Sequence, residues 1–444
     1  MEQPPRRANN SERILAIRRR RARRRLRLTI VLVLLIAVLI AWFTGLFGAP
    51  LSLLGDAMDS IKIALTPGAG WPVPWSLSGY VTSLPLSGGA AVLGERELIL
   101  YSANGNELRR IPHGFERPAI TAGSTRVCLY NRSGTKLQVE SRTRNLFTTD
   151  TDDPILLAQM SPNGTLAVAT KTSVIVYSPL FENIWEWEGA TETVTGLAFS
   201  SDNHRFTVAT LHSAAGALGT TLRFFDANTD AEGTQVVIAD GVPVHMQYLT
   251  RTQLLVVYDT CCAVYDTTDG AEIAHYNYGA QLLQGAAVTG DGTTALLFGS
   301  ENYTDIAQVA VLDTNLKQEA AWPVQARALQ VAAGHNMVYL LTTDSVVTYG
   351  LDGTLRGETL LDAKPQGALC TTNSTLLFTS EAIFRLSAPS GGETEMLTLP
   401  VSSAAAGSTA QSTAAAAQSA PASAGSAASG AQSTAASSAA QPAA

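Results

Sequence analysis

Between residues 80 and 398 the apolar positions do not recur at helical spacing. They come in short runs broken by polar turns. One stretch reads ILLAQMSPNG-TLAVATKTSVIVYSPLFENIWEWEG, and the next reads VTGLAFSSDN-HRFTVAT before TTLRFFDANTDAEGTQVVI. Short runs rich in β-branched residues, bounded by Gly, Asn, Asp and Ser, predict strands. The second run of each unit starts at Ala91, Arg126, Leu166, Phe206, Leu254, Ala295, Val338 and Leu376, with gaps of 35, 40, 40, 48, 41, 43 and 38. A period near 40 residues with four strands per period is the blade of a β-propeller. The turns SPNG, SSDN, TGDG and TTNS fall between the first two strands, where a hairpin needs residues that tolerate tight backbone angles. The pattern therefore predicts an all-β, eight-bladed propeller over residues 80–400. Seven blades is the alternative, because the unit around Ala91 is the least regular. An irregular β-sandwich gives no reason for the period.

The pattern changes at both ends. Residues 28–47, LTIVLVLLIAVLIAWFTGLF, carry no charge. Twenty residues in a helix span roughly 30 Å, the thickness of a bilayer core. The basic run RRRRARRRLR at 18–27 precedes them, so the positive-inside rule predicts a cytoplasmic segment 1–27, a transmembrane helix 28–47 and an extracytoplasmic body. A cleaved signal peptide would have a shorter apolar region, and Pro50 stands just after the candidate small-residue site. Residues 48–79 read as a stalk and connector. Within them Leu51, Leu54, Met58, Ile61 and Leu65 fall on one helical face, and a stiff Gly- and Pro-rich piece follows. Residues 401–444 contain 20 Ala, 11 Ser and no charge. Such a stretch has almost nothing to bury and reads as a disordered tail, open to O-glycosylation.

Charge narrows the function classes. Residues 1–27 hold 11 Arg and 2 Glu, a net of +9. The remainder holds 30 − 11 = 19 basic and 37 − 2 = 35 acidic residues, a net of −16. An acidic body lacks the basic face that nucleic acid needs. The arginine run serves topology and attraction to anionic lipid.

The SPNG-TLAVAT-SVIVYS run resembles the WD40-like and quinoprotein-like propellers. The turns at Asp226-Ala-Asn, Asp266-Thr-Thr-Asp-Gly and Asp313-Thr-Asn resemble the Asp-x-x-Thr-Gly turn of quinoprotein-like blades, with Trp322 as a loose counterpart of the tryptophan that follows there. The layout of basic lead, single span and extracytoplasmic propeller is similar to an uncharacterised family of Gram-positive membrane proteins, which implies no activity. Quinoprotein enzymes carry cofactor ligands and adjacent cysteines at the channel. No cofactor ligand of that kind matches here.

Cys261 and Cys262, in YDTCCAVYD, are the most unusual residues. In a secreted compartment an adjacent pair can form a vicinal disulfide. The alternative reading is two small buried residues at a tight turn. Cys128 and Cys370 read as strand residues. DANTDAEG at 226–233 has oxygen ligands at alternate positions but lacks the glycine and bidentate glutamate of a calcium loop. The six histidines show no metal spacing, and no nucleophile elbow or P-loop occurs. Trp185 and Trp187 are expected to divide, one towards the neighbouring blade and one towards solvent, where it could stack on a glycan.

Loops carry function more often than strands do. The long gap around LHSAAGALGT at 211–220 reads as an inserted loop, and GSENYTD at 299–305 as the next largest. Arg96, Lys171, His212, Tyr303 and Asp305 are the expected rim of the channel mouth, with the Cys261–Cys262 turn between the two larger loops. The reading that results is a membrane-tethered, extracytoplasmic binding or scaffold module. Its partners would be membrane lipid through residues 28–47 and an envelope protein or a cell-wall glycan, with no cofactor, metal or catalytic residue assigned. The alternative is an extracytoplasmic propeller enzyme, redox or hydrolytic.

Overall fold

The computed structural model describes residues 59–397 apart from 64, 69, 76, 189–191, 215, 227–231, 239–240, 300–306, 325–326 and 388–392. The expected span at 28–47 and the tail at 401–444 lie outside the described residues. Among the described residues no helix is long and apolar enough to cross a membrane. Among the described residues thirty-three strands, β1 to β33, build eight sheets whose pairings are antiparallel except for one at the edge of the seventh. The sheets cover residues 80–112, 118–150, 155–188, 193–238, 243–277, 282–324, 330–361 and 365–386, and are called blades 1 to 8 in that order. All eight predicted anchors fall in the second strand of a blade. The blade number is eight, not seven.

The second strands explain why the pattern was readable. In blade 5 every residue from Leu254 to Tyr258 is fully buried, because both faces of the strand pack against neighbouring blades. A strand buried on both faces reads as a continuous apolar run. Each fully buried leucine or valine contributes about 1.5–3 kcal/mol.

Blade 8 closes the ring. Its three later strands are β30 (Pro365–Cys370), β31 (Thr375–Thr379) and β32 (Ala382–Leu386). Its outer strand is borrowed from the start of the domain: β1 (Val73–Pro74) pairs antiparallel with β32. Trp75 pins the joint. Its indole Nε1 donates to the Thr379 carbonyl at 2.9 Å, and its ring packs 5.8 Å from Phe378. Blade 7 gains a fifth strand, since β33 (Glu393–Leu397) returns to pair parallel with its outer strand β29 (Leu355–Leu361).

The turns between first and second and between third and fourth strands share one face of the ring, the turn face. The second-to-third loops and the blade connections share the other, the loop face. Residues 59–63 form a short helix against the turn face. Thr143 Oγ1 donates to Asp59 Oδ2 at 2.6 Å, and Arg142 Nη2 donates to Ser60 Oγ. The connector continues along that face, with Asn104 and Asn106 Nδ2 donating to the Thr66 and Pro67 carbonyls. The stalk thus docks by its polar edge. Its apolar side points away, with Ile61 61% and Leu65 77% exposed.

The innermost strands share a device that no local pattern announces. In six blades the register between first and second strand shifts near the loop face, leaving Val81, Leu156, Thr195, Val244, Gln284 and Gln366 as bulged residues. A bulge re-aims side chains and strengthens the local twist.

Candidate functional site

Three of the five expected rim residues are described, and all three lie at the loop face. Arg96 sits in the second-to-third turn of blade 1, Lys171 in that of blade 3, and His212 on the long hairpin of blade 4. They stand on three different blades, and no hydrogen bond joins them. Arg96 accepts a backbone hydrogen bond from His113 at 2.8 Å. Tyr303 and Asp305 lie outside the described residues.

The 211–220 stretch is a ladder rather than a loop. β15 (Arg205–Ala214) and β16 (Ala217–Asp226) pair without a break from Arg205↔Asp226 to Ala214↔Ala217. The flanking strands β14 (Thr193–Phe199) and β17 (Glu232–Ile238) stop at Leu211 and Thr220, so the hairpin projects beyond its sheet. The added length expected here is present, but it forms extra rungs of the ladder instead of an irregular loop.

A polar cluster roots the projection, and the spacing of its members in sequence hid it. Glu192 Oε2 accepts from Thr210 Oγ1 at 2.6 Å and from Arg223 Nη1 at 3.2 Å. Arg223 lies over Trp187, 5.4 Å from the ring centre, and Thr221 Oγ1 lies 3.2 Å from His212 Nδ1. Burial, the largest single influence on Glu192, raises its pKa. The hydrogen bonds from Thr210 and Arg223 together outweigh it and hold the carboxyl below its ordinary range.

Trp187 and Trp185 do not divide between core and solvent. Residues two apart in a strand share a face. Trp185 is buried at 4.8 Å from Phe206, and Trp187 lies 5.8 Å from Phe225, so both face blade 4.

The cysteine pair also differs from expectation. The turn is Asp259-Thr260, and Cys261 and Cys262 open the third strand, β20 (Cys261–Asp266). Neighbours in a strand point to opposite faces. Cys261 packs with Tyr258 and Tyr265 towards blade 4, while Cys262 packs with Leu296 and Phe298 towards blade 6. The geometry parts the two sulfurs instead of joining them. Cys262 Sγ lies 2.9 Å from Tyr278 Oη, and burial pushes its thiol up to about 12 despite that bond. Cys370 is raised by burial to about 11, and Cys128 higher still. None of these three is a thiolate near neutral pH, so none is a poised nucleophile. Of the 226–233 segment, 227–231 lie outside the described residues. Among the described residues no group of three or more His, Cys, Asp or Glu could hold a metal ion.

The channel is the other feature of this region. The eight innermost strands contain no Asp, Glu, Lys or Arg. Blades 1 to 5 enclose a cavity of about 590 Å³ lined by Leu84, Ile120, Leu157 and the bulged Leu156, Thr195 and Val244. His245 is the one histidine of these strands. Solvent reaches its ring from the lumen, but the surrounding walls desolvate it and lower its pKa, against the opposing bond to Gln247.

Comparisons with known proteins agree with the architecture. The C-terminal WD40 domain of Sif2 is similar to this chain with a TM-score of 0.54 at 12% identity, over 72% of this chain and 99% of that one. Saccharomyces cerevisiae Sqt1 gives 0.54 at 10%, over 72% and 100%. A structure described as the eukaryotic initiation factor gives 0.51 at 11%, over 73% and 93%. Identities this low show the fold alone. No curated protein matches the sequence. One sequence profile, that of a family of unknown function, matches residues 75–384, which run from the closing tryptophan into β32 of blade 8, and on that match the chain belongs to the DUF5711 family.

Proposed function

We propose that this protein is a membrane-tethered, extracytoplasmic propeller that acts as a binding or scaffold module for an envelope protein or a cell-wall glycan. The observation that carries the reading is the docking of the stalk. Asp59 and Ser60 hold it to the turn face, while Ile61 and Leu65 turn their apolar side chains outward, where a bilayer surface would cover them. An uncharged 20-residue run and an arginine-rich lead precede that helix in sequence. A tether entering at the turn face leaves the loop face free, with Arg96, Lys171, His212 and the channel mouth directed away from the anchor.

Two measurements test the reading. In a variant lacking the four native cysteines, Ser402→Cys should react with an impermeant thiol reagent on intact cells. Reaction only after lysis would overturn the orientation. The full chain, extracted in detergent, should capture an envelope protein or sediment with isolated cell wall. Capture of neither would remove the scaffold function.

A further inference from the structure

Blade 8 is the one blade whose outer strand is incomplete. In the other seven, the fourth strand has six or seven residues, whereas β1 has two. β1 covers Ala382 and Ile383 of β32 and leaves Phe384, Arg385 and Leu386 with no strand on their outer side among the described residues. The ladder phase shows what that edge offers. Trp75 N–H donates to the Glu381 carbonyl at 3.0 Å, and Val73 pairs with Ile383. Outward-facing groups alternate along an antiparallel edge, so the N–H and C=O of Arg385 also point outward. Trp71, which would come opposite, has left the ladder: its Nε1 donates to the Ala103 carbonyl of blade 1 at 3.1 Å.

The vacant rungs open onto a cavity of about 990 Å³, lined among others by Trp71, Pro72, Tyr339, Phe384, Arg385 and Leu386. The Arg385 side chain is exposed and has no ion-pair or hydrogen-bond partner among the described residues. The molecule already extends a neighbouring blade by strand addition, since β33 pairs along the outer edge of blade 7.

We infer that the open edge of blade 8 is a docking site for an extended peptide segment of a partner protein, which adds as an outer strand and sets an acidic side chain against Arg385. Main-chain hydrogen bonds supply affinity in this mode, and side-chain pockets supply selectivity. The site lies at the turn-face end of the blade 8 edge, beside Pro67, Gly68 and Gly70 of the connector and apart from the loop-face rim.

The probe is a capped, fluorescein-labelled synthetic peptide of alternating valine and threonine with one central aspartate. Polarisation with the full chain in detergent should show saturable binding below about 1 mM. Arg385→Glu should weaken it about tenfold or more, and a lysine in place of the peptide's aspartate should restore binding to that variant. Amide exchange at residues 384–386 should slow on binding. Arg385 is exposed, so the variant keeps its fold, and an unchanged melting temperature checks this. Absence of saturable binding, indifference to the charge at position 385, or protection confined to another blade edge would each overturn the inference.

Discussion

Blade 4 has two ten-residue strands, and blade 8 has an outer strand of two residues. Both follow the same four-strand plan. In blade 4 the surplus costs the ring nothing, because the extra rungs pair only with each other and project from the loop face. In blade 8 the deficit falls on the joint that shuts the ring, and side chains compensate for it. Trp75 does with one indole hydrogen bond and a packed ring what the missing rungs do elsewhere. Length added at a rim is nearly neutral, whereas length removed at a closure must be offset by specific contacts.

This contrast can be broken or sharpened by substitution. The largest effect is expected from Trp75→Ala, which removes the indole bond and the packing on Phe378 and Tyr80. It should cost about 3 kcal/mol, read as a shift in the urea midpoint. A loss below about 1 kcal/mol would show that the borrowed strand alone holds the joint. An ordinary blade joint gives the reference. Glu140 is buried between blades 1 and 2, where it accepts from Arg109 at 2.5 Å and from Asn145 at 2.7 Å. Breaking a buried pair is severe, but Arg109 is partly exposed, so Glu140→Gln should cost about 2 kcal/mol.

Replacing residues 212–219 with a short Gly-Ser turn should change stability by less than about 1 kcal/mol, since surface connection length is cheap. Capture of the partner should weaken under the same replacement, and full capture would remove the hairpin from the binding face. The smallest effect concerns pH. Burial lowers the pKa of His113, against its bond to the Gly94 carbonyl at 3.2 Å. A folded pKa below the unfolded one means that the unfolded chain binds the proton more readily. The contribution is present above the unfolded value near 6.5 and is lost progressively as pH falls from there through the lower folded value. His113→Gln should therefore flatten the decline in melting temperature between about pH 7 and pH 5.

Much of this fold could be read from the chain, because each second strand is buried on both faces and announces itself as an unbroken apolar run. The turns at 161–164, 200–203, 289–292 and 371–374 were equally plain, since tight hairpins restrict residue choice. What was hidden arises from pairing between distant segments. Val73 and Pro74 carry no strand pattern, and their role exists only once Ile383 and Ala382 lie beside them. The Glu192–Thr210–Arg223 cluster joins the residue before β14 to the middles of β15 and β16, which sequence separates. The six inner-strand bulges are register events, visible only against a partner strand. The tryptophan pair was misjudged for a simpler reason: Trp185 and Trp187 are two residues apart and share a face.

The borrowed strand also sets an order of events. Val73 leaves the ribosome 310 residues ahead of its partner Ile383. At about 5–20 residues per second, that interval is roughly 15–60 s. The first strand made therefore waits for its partner until the four consecutive strands of each of the other seven blades have been made. Until blade 8 emerges, the growing arc has two unsealed ends, and Trp75 lacks both Phe378 and the Thr379 carbonyl. Any factor that shields such ends would act longest on this segment, and a chain truncated before blade 8 would retain them permanently.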